Sequence, residues 1–176
     1  ITAGTGRVLG ALWVGLAGLL HSYGMLGPYD AIAWWDHLTH TLSAALVAAL
    51  LYAGLLVAVD STSVSVGISL VWATVVLLTL LAGVFWELIE LLARDFARRF
   101  DVPSVLDHYG RRDTVLDLLF DVVGALLVLV VDLRLFVPMA EVSPETTVAA
   151  LVVFLGGFVV GSLVLSLVIV VGQAEP

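Results

Sequence analysis

The chain has 176 residues, of which 61% are hydrophobic and only 12% are charged, and its mean hydropathy is +1.14. Soluble domains are about one half apolar and about one quarter charged, so this chain has too few polar side chains to cover a globule in water. The composition therefore predicts an all-α, polytopic integral membrane bundle, multi-pass in the cell membrane and surrounded by membrane lipids. The length predicts one transmembrane helical domain over residues 1–176.

The charge of the chain is acidic, and lysine is absent. Fifteen Asp and Glu residues outnumber seven arginines, which gives a formal net charge of -8. Because salt screens the repulsion between carboxylates, this excess favours a halophilic source. It argues against nucleic-acid binding, which needs a basic surface. The absence of cysteine excludes disulfides, thiolate metal sites and cysteine nucleophiles.

Five apolar runs are long enough to cross about 30 Å of hydrocarbon at about 1.5 Å per helical residue. Gly27-Pro28 ends the first run, and Asp30 is a candidate N-cap for the second. Because backbone groups in lipid must pair internally, each run is predicted to be a helix. The predicted spans lie near residues 7–26, 31–59, 64–92, 114–137 and 146–171.

The arginines predict the orientation of the bundle. Five of the seven fall between the third and fourth runs, and basic residues collect on the cytoplasmic side of membrane proteins. The 93–113 loop and the C-terminus are therefore predicted to be cytoplasmic, and the N-terminus to be outside. The five residues are Arg94, Arg98, Arg99, Arg111 and Arg112.

The fifth run is uncharged and contains Gly157 and Gly161, whose spacing gives a smooth face that another helix can approach closely. Two interpretations are open. The simpler one is packing within the bundle. The other is association into a homo-oligomer or a larger membrane complex through the same glycines.

Charged residues inside the apolar runs are the candidate functional residues. A charge near the centre of a membrane helix costs about 2.5–3.5 kcal/mol, so it persists only with a partner or a function. Spacings of three and four place each group on one helix face, and the predicted topology brings all groups to the cytoplasmic end of the bundle. The groups are Asp36 with His40, Glu87 with Glu90, and Asp113 with Asp117 and Asp121, while His21 arrives at the same level from the first run.

These carboxylates repel one another unless protons, arginines or a cation neutralise them. A divalent metal is the favoured solution, and oxygen ligands with imidazole fit Mg²⁺, Mn²⁺, Zn²⁺ or Fe²⁺ without distinguishing them. A proton-sharing relay is the main competitor.

Simpler roles are an N-cap for Asp113 and interfacial positions for His37 and His108. The predicted metal ligands are His40, Asp36, Glu87, Asp113, Asp117 and Asp121, with His21 as a candidate addition, Glu87 and Glu90 as candidate catalytic bases, and Arg111 and Arg112 as phosphate-binding residues.

Three motifs, in order over about residues 20–130, resemble the YjdF-type family of inner-membrane proteins. They are Asp36-x3-His40, Phe85-Trp86-Glu87-Leu88-Ile89-Glu90 and Asp113-Thr114-x2-Asp117-x3-Asp121-x2-Gly124-Ala125. The same order is similar, more distantly, to the VanZ-like family. His37 has no counterpart in the YjdF-type pattern, and Glu90 stands where the VanZ-like pattern has an amide. The resemblance strengthens the site and implies no particular reaction.

Three functions are compatible with this site. A metal-dependent enzyme acting on a lipid or polyprenyl phosphate at the cytoplasmic leaflet is modestly favoured. A proton- or ion-coupled transporter would use the same carboxylates as a relay, although the sequence has no internal repeat of the kind many transporters carry. A structural or accessory subunit would use the polar residues only to lock helices together.

Overall fold

The structure, a computed structural model, describes residues 2–62, 65–102 and 110–174, and the regular structure within these ranges is entirely helical. The helices are α1 Ala3–Gly24, α2 Pro28–Ala31, α3 Trp35–Asp60, α4 Ile68–Phe100, α5 Arg111–Val130, α6 Val137–Ala140 and α7 Pro144–Ala174. The predicted all-α bundle is confirmed.

Within the described ranges, four helices are long and apolar enough to cross a membrane: α1, α3, α4 and α7. The fourth predicted span corresponds to α5, which has 20 residues. Hydropathy does not single it out, because its sequence includes two arginines and three aspartates. Two of these aspartates, Asp117 and Asp121, are buried inside the bundle. A fifth crossing by α5 stays a prediction.

The helix boundaries differ from the predicted ones in two informative places. Asp30 is not an N-cap: it lies in the single turn of α2, after Gly27 with φ 130°, and α3 begins only at Trp35. Helix α4 continues to Phe100 instead of ending near residue 92. Residues 93–100, which form the last two turns, include two alanines and three arginines, and both residue types favour helix whether or not lipid surrounds them. Residue 64, the predicted start of the third span, and His108 lie outside the described residues.

Helix α3 is the centre of the bundle and contacts each of the other described helices. Five of its twelve buried residues are alanines and one is glycine, so neighbouring backbones can come close. Gly124 of α5 lies in the tightest contact, where an added Cβ would collide with the carbonyl oxygen of Thr41 and lie 2.9 Å from the backbone nitrogen of Ala45. The short distance between α3 and α5 therefore depends on the absence of a side chain at Gly124, where the two helices cross.

At the end of α3 far from Asp36, a polar contact joins α3 to the turn after α5. The Tyr52 hydroxyl donates to Asp132 Oδ1 at 2.6 Å, and Arg134 Nε donates to both Asp132 oxygens at 2.9 and 3.0 Å. These bonds, the one from Arg134 foremost, hold the pKa of Asp132 below its usual range. Asp132 thus stays ionised and holds the turn against α3.

Helix α7 is peripheral, and its two glycines have different surroundings. Gly161 packs against Phe85 of α4, whose ring carbon Cε2 would be only 2.6 Å from an added Cβ. A Cβ at Gly157 would meet nothing within 4 Å. Bundle packing thus accounts for Gly161, and association through the open Gly157 face stays a prediction.

Candidate functional site

Helices α3 and α5 bring three of the predicted ligands together. One donor atom from each of Asp36, His40 and Asp117 lies within 4.8 Å of the other two. Asp36 and His40 are one turn apart on α3, and His40 Nε2 lies 3.7 Å from Asp36 Oδ1. Asp117 reaches them from α5 and is almost fully buried. We call Asp36, His40 and Asp117 the three-residue group.

Asp121 lies on the opposite side of the His40 ring. Its Oδ1 is 3.1 Å from His40 Nδ1, and both side chains are buried. A carboxylate on one imidazole nitrogen fixes the ring and leaves the other nitrogen available, which is the usual arrangement behind metal-binding histidines. Asp121 was predicted as a direct metal ligand. Its position beside His40 Nδ1 is better suited to orienting the His40 ring than to binding a metal directly.

Gly83 of α4 makes room for that arrangement. An added Cβ at Gly83 would collide with Asp121 Oδ2 and lie 3.0 Å from Leu118 Cδ2. Helix α4 can therefore approach α5 at the level of Asp121 only because this residue has no side chain. The carboxylate of Asp121 is confined between His40 and the α4 backbone.

His37, predicted to be interfacial, lies instead beside the site. Its ring stacks on Phe120 of α5 at a centroid distance of 4.2 Å, and its Nδ1 lies 3.9 Å from Asp117 Oδ1. One residue after Asp36, the side chain is turned by about 100° around the helix, which directs it to α5. His37 therefore borders the three-residue group on the Asp117 side.

His21, the candidate additional ligand, is held by the connection between α1 and α3. Its Nδ1 is 2.7 Å from the Tyr29 hydroxyl, which also lies 3.3 Å from Thr39 Oγ1. Burial raises the pKa of Tyr29 to about 12, so the phenol stays protonated. Neither Tyr29 nor Thr39 was predicted as a site residue. The structure places His21 beside the site but outside the three-residue group.

Glu87 and Glu90 are both buried on the inner side of α4, with 3% and 9% of their surfaces exposed. Glu90 accepts a hydrogen bond of 2.8 Å from Trp86 Nε1, and the Trp86 ring meets the edge of His21 at 5.2 Å. Both glutamates thus belong to the same polar interior, although neither is part of the three-residue group.

The remaining predicted residues lie at the start of α5. Gly110, with φ 107°, is the N-cap, so the simpler reading of Asp113 as N-cap is wrong. Asp113 lies in the first helical turn, where a negative charge favours the helix dipole. Arg111 and Arg112 are exposed at the same helix end. They lie outside the three-residue group.

Long apolar helices around a buried set of carboxylates and histidines define this chain as a polytopic helical membrane protein. The sequence profile of a family described as predicted membrane protein (DUF2238) matches residues 7–137. The match covers most of the chain, and the chain belongs to this family. It includes every candidate site residue and leaves out α7. No curated protein and no solved structure matches the chain significantly.

Proposed function

We propose that the three-residue group binds a divalent metal ion and that the site acts on the phosphate of a membrane lipid, such as a polyprenyl phosphate. The observation that carries the proposal is the convergence of Asp36, His40 and Asp117, with donor atoms within 4.8 Å of one another. Two carboxylates and one imidazole would bind Mg²⁺, Mn²⁺, Zn²⁺ or Fe²⁺. Asp121, on the far nitrogen of His40, would fix the ring for this role.

The phosphate assignment rests on what surrounds the group. A bound divalent ion would polarise a phosphoryl oxygen and offset its charge. Arg111 and Arg112 are exposed at the start of α5, and Arg112 precedes Asp117 by five residues, about 7.5 Å along the helix. Guanidinium groups at that distance could bind the other phosphate oxygens. Glu87 or Glu90, buried on α4, would serve as the general base.

We further infer that the chain is of the YjdF type, on the three motifs that also supply the site, and that the site faces the cytoplasm. The arginines near the end of α4 and the start of α5 support this orientation. The halophilic source stays a prediction from composition.

The orientation can be tested with single cysteines, since the chain has none of its own. Ser61 and Val102 are both exposed and lie at opposite ends of α4. A membrane-impermeant maleimide should label Ser61→Cys in intact cells and should label Val102→Cys only after permeabilisation. The reverse pattern would mean that the site faces outward.

The metal can be tested by elemental analysis of protein purified in mild detergent. We expect about one divalent ion per chain, and a near-complete loss in Asp117→Asn, because a ligand carboxylate is removed. Asp60→Asn is the matched control: it makes the same change on an exposed residue at the other end of α3 and should keep the ion. Cells that express Asp117→Asn in place of the wild-type protein should accumulate the lipid phosphate that the site would otherwise consume. Lipid extracts of these cells should therefore contain more of it than extracts of wild-type cells.

Equal metal content in the two variants would refute the site, provided that both elute as folded protein. Metal-free wild-type protein that conducts protons in liposomes, with flux lost in Glu87→Gln, would instead favour the relay. Unchanged lipids and an absent ion, together with intact partner binding, would favour the accessory subunit.

A further inference from the structure

A cavity of about 460 Å³ adjoins the candidate site. It is lined by residues of α1, α3, α4 and α7, and by Asp121 of α5. His40 and Asp121, which contact each other in the site, also line this cavity. The His40 ring therefore belongs both to the three-residue group and to the wall of the cavity, so the two adjoin each other.

The walls of the cavity are mostly apolar, and small residues create the space. Gly18 on α1 and Ala82 on α4 leave room, while Phe85 and Phe158 form an aromatic wall. Along α3 the lining runs from Thr39 to Val47, a rise of about 12 Å. One leaflet contributes about half of the roughly 30 Å hydrocarbon thickness, so the cavity is nearly as deep as one leaflet.

Polar atoms in the wall indicate that the cavity takes a molecule with a polar end. Thr79 is 2% exposed, and among the described residues its hydroxyl oxygen has no hydrogen-bond partner; the same holds for Asp121 Oδ2 and His21 Nε2. All three residues line the cavity. A hydroxyl buried without a partner destabilises the fold, and a bound polar group would remove that cost.

We infer that this cavity binds one hydrocarbon chain of the lipid phosphate, with the phosphate end beyond His40, at the three-residue group. The volume lies within the range of about 300–1,000 Å³ usual for small-molecule sites. A chain in the cavity would hold the headgroup beside the three-residue group. The identity of the headgroup rests on the proposed function, whereas binding of the chain does not require the metal.

The test uses a single-chain alkyl phosphate that carries a diazirine near its terminal methyl, added to the full-length protein in detergent micelles. After irradiation, mass spectrometry should find cross-links on cavity residues at the end far from His40, such as Val47 and Thr79. In Gly18→Leu these cross-links should fall by roughly tenfold, the discrimination that added methylene groups produce in an apolar pocket. An added Cβ at Gly18 meets nothing within 4 Å, so the larger side chain can be accommodated without backbone strain.

Gly15→Leu is the matched control. Gly15 lies on the same helix, an added Cβ there also meets nothing within 4 Å, and it does not line the cavity, so labelling should equal that of the wild type. In metal-loaded protein, the same alkyl chain ending in a hydroxyl should label the cavity less strongly, because it lacks the phosphate that the metal would hold. An equally strong hydroxyl probe would overturn the assignment of the polar end.

Labelling spread over outward-facing α7 residues such as Val153 and Val160, with no response to Gly18→Leu, would overturn the inference. Metal content of the same preparations separates this failure from that of the proposed function. A metal-free protein with Gly18-dependent labelling keeps the inference and refutes the metal site. A metal-loaded protein whose labelling is the same in the wild type and in Gly18→Leu keeps the metal site and refutes the inference.

Discussion

Replacing Gly124 with alanine is expected to separate α3 from α5 and to lower the free energy of unfolding by about 1–3 kcal/mol, the usual cost of overpacking a tight interior. The new methyl group would collide with the Thr41 carbonyl oxygen and lie 3.1 Å from Ala44 Cβ. Both obstacles are parts of α3 that cannot rotate away. Because His40 directly precedes Thr41, the same displacement should also disturb the contact between His40 and Asp121.

The measurement is the midpoint of unfolding in detergent, by temperature or by titration with sodium dodecyl sulfate, for Gly124→Ala and for Gly157→Ala. The second variant makes the same change in a helix where an added Cβ meets nothing within 4 Å. It should match the wild type or exceed it slightly, since alanine favours helix. Equal midpoints for the two variants would mean that α3 and α5 are not in the close contact described above.

Gly83→Ala is expected to damage the site while leaving the bundle folded. Its methyl group would occupy the position of Asp121 Oδ2, so the carboxylate would have to turn away from His40. A side-chain carboxylate can move at less cost than backbone, so folding should survive. If the three-residue group binds a metal, loss of the orienting residue should weaken the affinity by about 10–100-fold.

The affinity can be measured by titrating Mn²⁺ or Zn²⁺ into metal-stripped protein by calorimetry. Asp121→Asn provides a second route to the same defect and should weaken binding to a similar extent. Gly15→Ala, on an open face of α1, is the matched control and should bind as the wild type does. If Gly83→Ala and Asp121→Asn bound metal normally, Asp121 would not orient His40.

The fold was largely predictable because hydropathy and run length report directly on whether a segment suits lipid. Hydropathy and run length predict α1, α3, α4 and α7 within a few residues at most ends. The predicted boundaries are less accurate where the chain leaves the apolar region. The last two turns of α4 are polar yet helical, and α2 is a single turn after Gly27 that no periodicity signals.

The pairing of Asp36 with His40 was predictable because both lie on one helix, where a spacing of four fixes their common face. Their proximity to Asp117 could not be predicted from one helix, because it depends on the contact between α3 and α5. That contact is close because Gly124 has no side chain, which is a weak signal in the sequence. His37 shows the same limit. Only the position of Phe120 on another helix explains why its ring is half-buried beside Asp117.

The roles within the site were the hardest to predict. Asp117 and Asp121 are equivalent in spacing, one turn apart on α5, and the sequence gives no reason to treat them differently. In the structure one joins the three-residue group and the other contacts the opposite nitrogen of His40. The Asp121 carboxylate has room there because Gly83 on α4, a third helix, has no side chain, and no pattern within α5 can report that.

The length of α4 indicates the depth of the site in the membrane. Its 33 residues rise about 50 Å, against about 30 Å of hydrocarbon. If Ile68 lies at one boundary of the hydrocarbon, Glu87 falls roughly 29 Å further along, at the other boundary, and Phe100 lies about 20 Å beyond it. The buried glutamates would then lie at the depth where lipid gives way to water. A water-soluble reactant and a molecule confined to the leaflet could meet there without either leaving its own solvent.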